Sequence, residues 1–198
     1  MAVDYAQLIA NPRRFYDFSG KVALVVGAGG GQLLDPACKA KKLIAIDRHR
    51  EALDKLRATI DASGAQNSIE VVCASFEDVR LPGDVVYFEF CLQETSDPEQ
   101  ALTHARTLAP DIVVFDHLPD SPWSFHAAEE DKVRRSAEAM ERFGVRRRQT
   151  FSTEQRFRNH DELLAKIRVQ GPMAIQRAER FIGATNIVIP MSYGLALL

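Results

Sequence analysis

Four glycines fall within five residues at Gly27-Ala28-Gly29-Gly30-Gly31, and Asp47 stands sixteen residues after the last of them. Glycine accepts positive φ angles and has no Cβ, so such a loop lets backbone N–H groups come up against a nucleotide-type ligand. A carboxylate placed as Asp47 is, with Arg48 beside it, can accept two hydrogen bonds from ribose hydroxyls and discriminates against a 2′-phosphorylated ribose. Tight turns use glycine anyway, so the loop alone says little. Its position says more: a continuous apolar run, Val22 to Val26, leads into it, and a second apolar run ends on the acid.

Those two runs belong to a longer alternation. A continuous apolar run is the mark of a strand covered on both faces, as parallel sheets require. Strands are predicted at Val22 to Val26, Leu43 to Ile46, Ile69 to Cys73, Asp84 to Phe90 and Ile112 to Phe115. An amphipathic helix is predicted over Glu51 to Ala62, and another opens at Asp97-Pro98-Glu99, which supplies a cap, a first-turn proline and an acidic first turn. The first twenty residues read as a short helix and an aromatic lead-in. The last third reads as a charged helix over Glu129 to Phe143, a long strand from Val145 to Phe157, a helix over Asp161 to Val169 and an extended stretch from Asn186 to Leu197. This rhythm predicts one α/β domain: a Rossmann-like doubly wound sheet of about seven strands, mostly parallel, with an antiparallel strand near the C-terminus. In such a sheet ligands sit beyond the carboxyl ends of the strands where strand order reverses, which is where the glycine loop falls.

The dinucleotide fingerprint GxGxxG needs Gly or Ala at position 32, where the chain has Gln32. The short-chain dehydrogenase version needs Gly in place of Leu33 and Thr in place of Val26, and no tyrosine has a lysine four residues on. The loop does read GxGxG, which is similar to motif I of class I S-adenosylmethionine-dependent methyltransferases, and the spacing to Asp47 is much like theirs. The resemblance runs through the first 120 residues. Cys73 to Pro82 looks like that family's loop after strand three, Leu92-Gln93-Glu94-Thr95-Ser96-Asp97-Pro98-Glu99 like its "LHH…DPE" segment, and Ile112 to Asp116 like its fifth strand. It implies S-adenosyl-L-methionine as cofactor, S-adenosyl-L-homocysteine as product, and a cofactor site at Gly27, Ala28, Gly29, Gly31, Asp47, Arg48, Ser75, Phe76, Glu89 and Phe90. Two departures stand out. Val26 replaces the acid that commonly precedes the first glycine, so the contact near the methionine amino group is missing or supplied elsewhere. Ser75 replaces the adenine-side Asp, with Phe76 as a compensating contact to the ring.

Methyl transfer is an in-line displacement on an activated methyl, so the protein's work is orientation and exclusion of water, with a base only where the nucleophile arrives protonated. Candidates therefore come from position: Glu89, Phe90 and Cys91 at the end of strand four, Asp116 and His117 at the end of strand five, and Trp123 beyond. Glu89 and His117 are the catalytic candidates. Glu89 is a carboxylate in an apolar strand, either aimed at the ligand or paired with an arginine. His117 can accept a proton near neutral pH if it is not a plain surface histidine. Cys91 reads as a packing residue. Trp123 and Phe125 are pocket wall or core alike, with Pro119 to Phe125 as a substrate loop. His126 with Glu129 and Glu130 reads as a solvated helix start, so no metal is expected.

Composition agrees with an ordinary soluble domain: 198 residues, 46% hydrophobic, 26% charged, net charge −2. Three isolated cysteines and an N-terminus without a signal-type pattern lead us to expect a cytoplasmic protein. No apolar run is long enough for a membrane span. The Arg134-Arg135 and Arg146-Arg147-Arg148 clusters read as a solvated face, not a nucleic-acid surface. The expected partner is a small-molecule methyl acceptor, with no nucleic acid and no membrane; a homodimer is compatible with all of this. Two other functions stay open at this point, an NAD-dependent oxidoreductase and a non-catalytic nucleotide-binding regulator.

Overall fold

The computed structural model describes residues 5–30, 39–63 and 68–198. Five strands, β1 (Val22–Val26), β2 (Lys42–Asp47), β3 (Ile69–Cys73), β4 (Val85–Glu89) and β5 (Asp111–His117), run parallel to one another. Two long strands, β6 (Arg147–Asn159) and β7 (Thr185–Leu197), complete a seven-stranded sheet in the order β3-β2-β1-β4-β5-β7-β6. β7 is antiparallel to both its neighbours, as expected from the strand pair late in the chain.

The sheet separates two cores. Val25, Tyr87 and Phe115 project to one side, covered by α1 (Tyr5–Phe15), α2 (Arg50–Ser63), α4 (Pro122–His126), α6 (His160–Ile167) and α7 (Pro172–Ala178). Leu24, Val86 and Val114 project to the other, under α3 (Pro98–Leu108) and α5 (Glu130–Phe143). Both faces being covered is why β1, β4 and β5 need unbroken apolar sequences. Asp97 caps α3, its side chain accepting from the Gln100 N–H at 3.0 Å. Pro190 is tolerated in β7 because it lies beyond the five residues of β7 that pair with β5.

Three local expectations change. Half of the stretch read as a substrate loop is α4, which buries Trp123 and stacks it on Phe157 at 5.9 Å. Trp123 is therefore core, while Phe125 stays 47% exposed beneath the Arg177 guanidinium. The helix α7 was not anticipated. It starts with Pro172 after Gly171 and is held by Arg177, whose two-pronged bond to Glu130 spans 2.9 and 2.6 Å.

Strand order reverses between β1 and β4: β2 and β3 continue to one side of β1, β5 to the other side of β4. The splayed carboxyl ends of β1 and β4 leave the crevice that open parallel sheets use for ligands.

Candidate functional site

A cleft of about 410 Å³ opens at that crevice, within the size range of small-ligand sites. Its walls come from the ends of β1, β2 and β4, the turn after β3, and the short 3₁₀ turn after β4.

Glycines make the floor for two distinct reasons. Gly27 has φ +78°, and its N–H donates to the Ile46 carbonyl at 3.0 Å. A Cβ at Gly27 would lie 2.7 Å from the Cβ of Cys91 and 2.9 Å from its sulfur. Cys91 in turn donates from its thiol to the Val26 carbonyl at 3.1 Å, tying the end of β1 to the strand beside it. That makes Cys91 a tether, as its packing role predicted. At Gly29 the constraint is contact alone: a Cβ would stand 2.6 Å from both Asp47 Oδ2 and the Ala52 Cβ. Ala28 is buried in the 3₁₀ turn Ala28–Gly30. Gly31, Gln32 and Leu33 lie outside the described residues.

Asp47 closes β2 and faces the loop. Its Oδ2 accepts the Gly29 N–H at 2.9 Å, and its Oδ1 accepts the His49 N–H at 2.8 Å and the His49 ring Nδ1 at 3.0 Å. A carboxylate offers about four acceptor positions. Three are in use, so a vicinal diol can gain two bonds here only by displacing the exposed His49 ring. His49 was missed by sequence reasoning; standing two residues beyond Asp47 was its only signal. Arg48, beside it, is exposed on the same wall.

In the turn after β3, Ser75 donates to Glu77 Oε2 at 2.5 Å, a bond that holds the Glu77 carboxyl below the usual range. Phe76 borders the cleft, but its ring is buried edge-on against Phe88 at 5.2 Å and His104 at 5.0 Å. Its contribution to a ligand is wall rather than a free stacking face.

The fourth wall is the end of β4. Side chains alternate along a strand, so Glu89 shares a face with Tyr87 and lies beside Gly27 on the neighbouring strand. No hydrogen bond or ion pair to the Glu89 side chain exists among the described residues, and burial pushes its carboxyl well above the ordinary range. The arginine-paired alternative for this residue is thereby removed. Phe90 takes a left-handed backbone conformation, φ 47°, a costly choice for a bulky residue and one found mainly at functional sites. Its N–H donates to the Phe115 carbonyl at 2.7 Å, and its ring lies over Phe115 at 4.3 Å and His117 at 4.7 Å.

His117 thus sits beneath Phe90. Its Nδ1 is enclosed without a hydrogen-bond partner, and burial, with a smaller push from Lys166, lowers its pKa to about 3. The ring is neutral at working pH: a hydrogen-bond acceptor, and a weak base. Asp116 lies behind it, 3% exposed, accepting from the N–H groups of His117 and Gln93 and from the Ser136 hydroxyl at 3.0 to 3.3 Å. Burial raises Asp116 to about 7, and the buried Glu129 likewise. Four of the five clustered arginines have partners within the chain: Arg134 pairs with Asp131 and Glu138, Arg146 with Asp111, Arg148 with Glu141, and Arg147 lies on the Phe15 ring. No cluster fit to hold a metal ion occurs among the described residues.

The fold is one that methyltransferases share. A protein assigned as a methyltransferase from Bacillus halodurans C-125 superposes with TM-score 0.70 over 95% of this chain and 96% of its own, at 16% identity. A SAM-dependent methyltransferase from Aquifex aeolicus matches with TM-score 0.60, 17% identity and coverage of 98% and 89%. Magnesium protoporphyrin IX methyltransferase from Synechocystis PCC 6803, with S-adenosylhomocysteine bound, matches with TM-score 0.59, 11% identity and coverage of 97% and 80%. No curated protein matches the chain in sequence. Residues 24–111, which carry the glycine loop, Asp47 and Glu89, match the sequence model of the methyltransferase domain family. The chain thus has the Rossmann-like fold of these methyltransferases, and the sequence match to the methyltransferase domain is carried by its residues 24–111.

Proposed function

We propose that this protein transfers the methyl group of S-adenosyl-L-methionine to a small-molecule acceptor in the cytoplasm, as a monomer or homodimer. The observation that carries the reading is the cradle itself: two glycines with no room for a Cβ, Gly27 against Cys91 and Gly29 against the Asp47 carboxylate at the end of β2. Gly27, Ala28, Gly29 and the neighbouring Gly31 would take the methionine end of the cofactor. Asp47 would take the ribose, with Arg48, Ser75 and Phe76 along the adenine side and Glu89 and Phe90 beneath the sulfonium end. The bound cofactor supplies a methyl group already activated on a positively charged sulfur.

The chain's own contribution is then geometric. Phe90, with its left-handed backbone, lines the cleft and lays its ring on His117, an apolar wall that would help exclude water from the reacting groups. His117 lies enclosed beneath Phe90 and outside the residues that line the cleft, so its neutral ring would support the Phe90 wall rather than meet the acceptor. Arginines already paired within the chain favour a small metabolite over a nucleic acid. Among the described residues no helix is long and apolar enough to cross a membrane.

Calorimetry with S-adenosylmethionine and S-adenosylhomocysteine tests the reading. Binding of both is expected; binding of neither, with tight binding of NAD, overturns it. Cofactor binding with no product across a methyl-acceptor screen that includes cell extract would leave a regulatory protein instead.

A further inference from the structure

The cofactor proposed for this cleft carries two positive charges, a sulfonium and an α-ammonium. An ammonium group needs acceptors when it leaves water, and a buried charge is tolerated only when paired. The end of β1 offers no carboxylate, because Val26 is apolar, buried and packed opposite Phe88. Its carbonyl already accepts the Cys91 thiol. Across the crevice stands a carboxyl in the opposite situation. The Glu89 side chain lines the cleft with no hydrogen bond or ion pair among the described residues, and its backbone carbonyl lies beside Gly27, which also lines the cleft.

We propose that Glu89 is the anionic subsite for the cofactor's α-ammonium group, so that the carboxylate absent from the end of β1 is replaced by one at the end of β4. This rests on the proposed cofactor site and adds to it a specific partner for the amino-acid tail. Three observations support it. Glu89 lies on the strand directly paired with β1, so it reaches the same end of the crevice from the other side. The neighbouring acid at the rim, Glu94, is neutralised by Lys132 at 2.8 Å, and Asp116 is enclosed by three donors, so Glu89 is the carboxylate of this wall left for a cation. Burial raises its pKa by disfavouring the charged carboxylate, and an arriving ammonium would act in the opposite direction and favour ionisation.

Binding without any methyl acceptor separates this role from general-base catalysis. Affinities are measured by calorimetry for S-adenosylhomocysteine and for 5′-methylthioadenosine, which has the nucleoside and sulfur but lacks the amino-acid tail. Glu89→Gln, nearly isosteric, is expected to weaken S-adenosylhomocysteine by about tenfold to a hundredfold and 5′-methylthioadenosine by less than about twofold. Unchanged S-adenosylhomocysteine affinity, or an equal loss for both ligands, overturns the proposal. Should the variant not fold, wild-type protein is titrated with the desamino analogue of S-adenosylhomocysteine. A loss of about tenfold supports the ammonium subsite, and full retention of affinity overturns it. Failure of the underlying reading looks different: wild-type protein would then bind neither nucleoside ligand.

Discussion

Replacing Asp47 by alanine separates the ligand role of this carboxylate from its structural one. In the free protein three of its roughly four acceptor positions are filled by Gly29 and by the backbone and ring of His49. A ribose diol gains one new charge-assisted bond at the open position, worth about 1.5–3 kcal/mol. The second bond replaces one from an exposed imidazole and contributes close to nothing net. The expected loss for Asp47→Ala is therefore about 1.5–3 kcal/mol, or one to two orders of magnitude in S-adenosylhomocysteine affinity. The same change frees the Gly29 and His49 N–H groups. Both can turn to water, so stability should fall by only about 1–2 kcal/mol, a Tm drop of roughly 2–8 °C for a chain of this size. The assay is calorimetry with S-adenosylhomocysteine and with its 2′,3′-dideoxy analogue, beside thermal unfolding of each variant. The large loss should appear only for the ligand that has the hydroxyls. Unchanged affinity for S-adenosylhomocysteine, or the same loss for both ligands, would refute the ribose contact.

Other expectations follow from the same geometry. His49→Ala removes the ring that competes for Asp47 and should leave S-adenosylhomocysteine affinity equal or up to severalfold tighter; a tenfold loss would mean the ring itself holds the ligand. Gly29→Ala drives a methyl to 2.6 Å from Asp47 Oδ2, so affinity should drop at least tenfold while the protein still unfolds cooperatively, and retained affinity would show the loop to be slack. His117→Ala removes the ring beneath Phe90 and should lower kcat by about tenfold through the loosened wall, with cofactor affinity nearly unchanged; an unaltered kcat would show that this support does not matter to transfer. Asp116 has its pKa raised by burial from 3.8 to about 7, so between those values the folded state holds a proton the unfolded chain lacks, and stability falls as pH rises across that window. Asp116→Asn should accordingly stabilise the protein more at about pH 7.5 than at about pH 4.5, by a margin of a few kcal/mol at most, and an equal effect at both would contradict the burial argument.

The five parallel strands, the α3 cap and the glycine loop with its aspartate were legible from the sequence because each is set locally. A strand covered on both faces must be apolar throughout, a cap must carry a short acceptor, and a loop pressed against other atoms must lack Cβ. Family resemblance added the cofactor, and it marked Val26 and Ser75 as departures without saying what answers them. Folding decided the rest, because it brings together residues far apart in the chain. Phe76 turned inward onto Phe88 and His104, which is why its ring is not a free stacking surface for adenine. The left-handed backbone at Phe90 and its cover over His117 follow from how β4 meets β5, not from any motif. Glu89 read equally well as a ligand group or as an arginine's partner. Only the packed structure, in which no cation reaches it among the described residues while Gly27 lies beside it, left its carboxyl to the cleft.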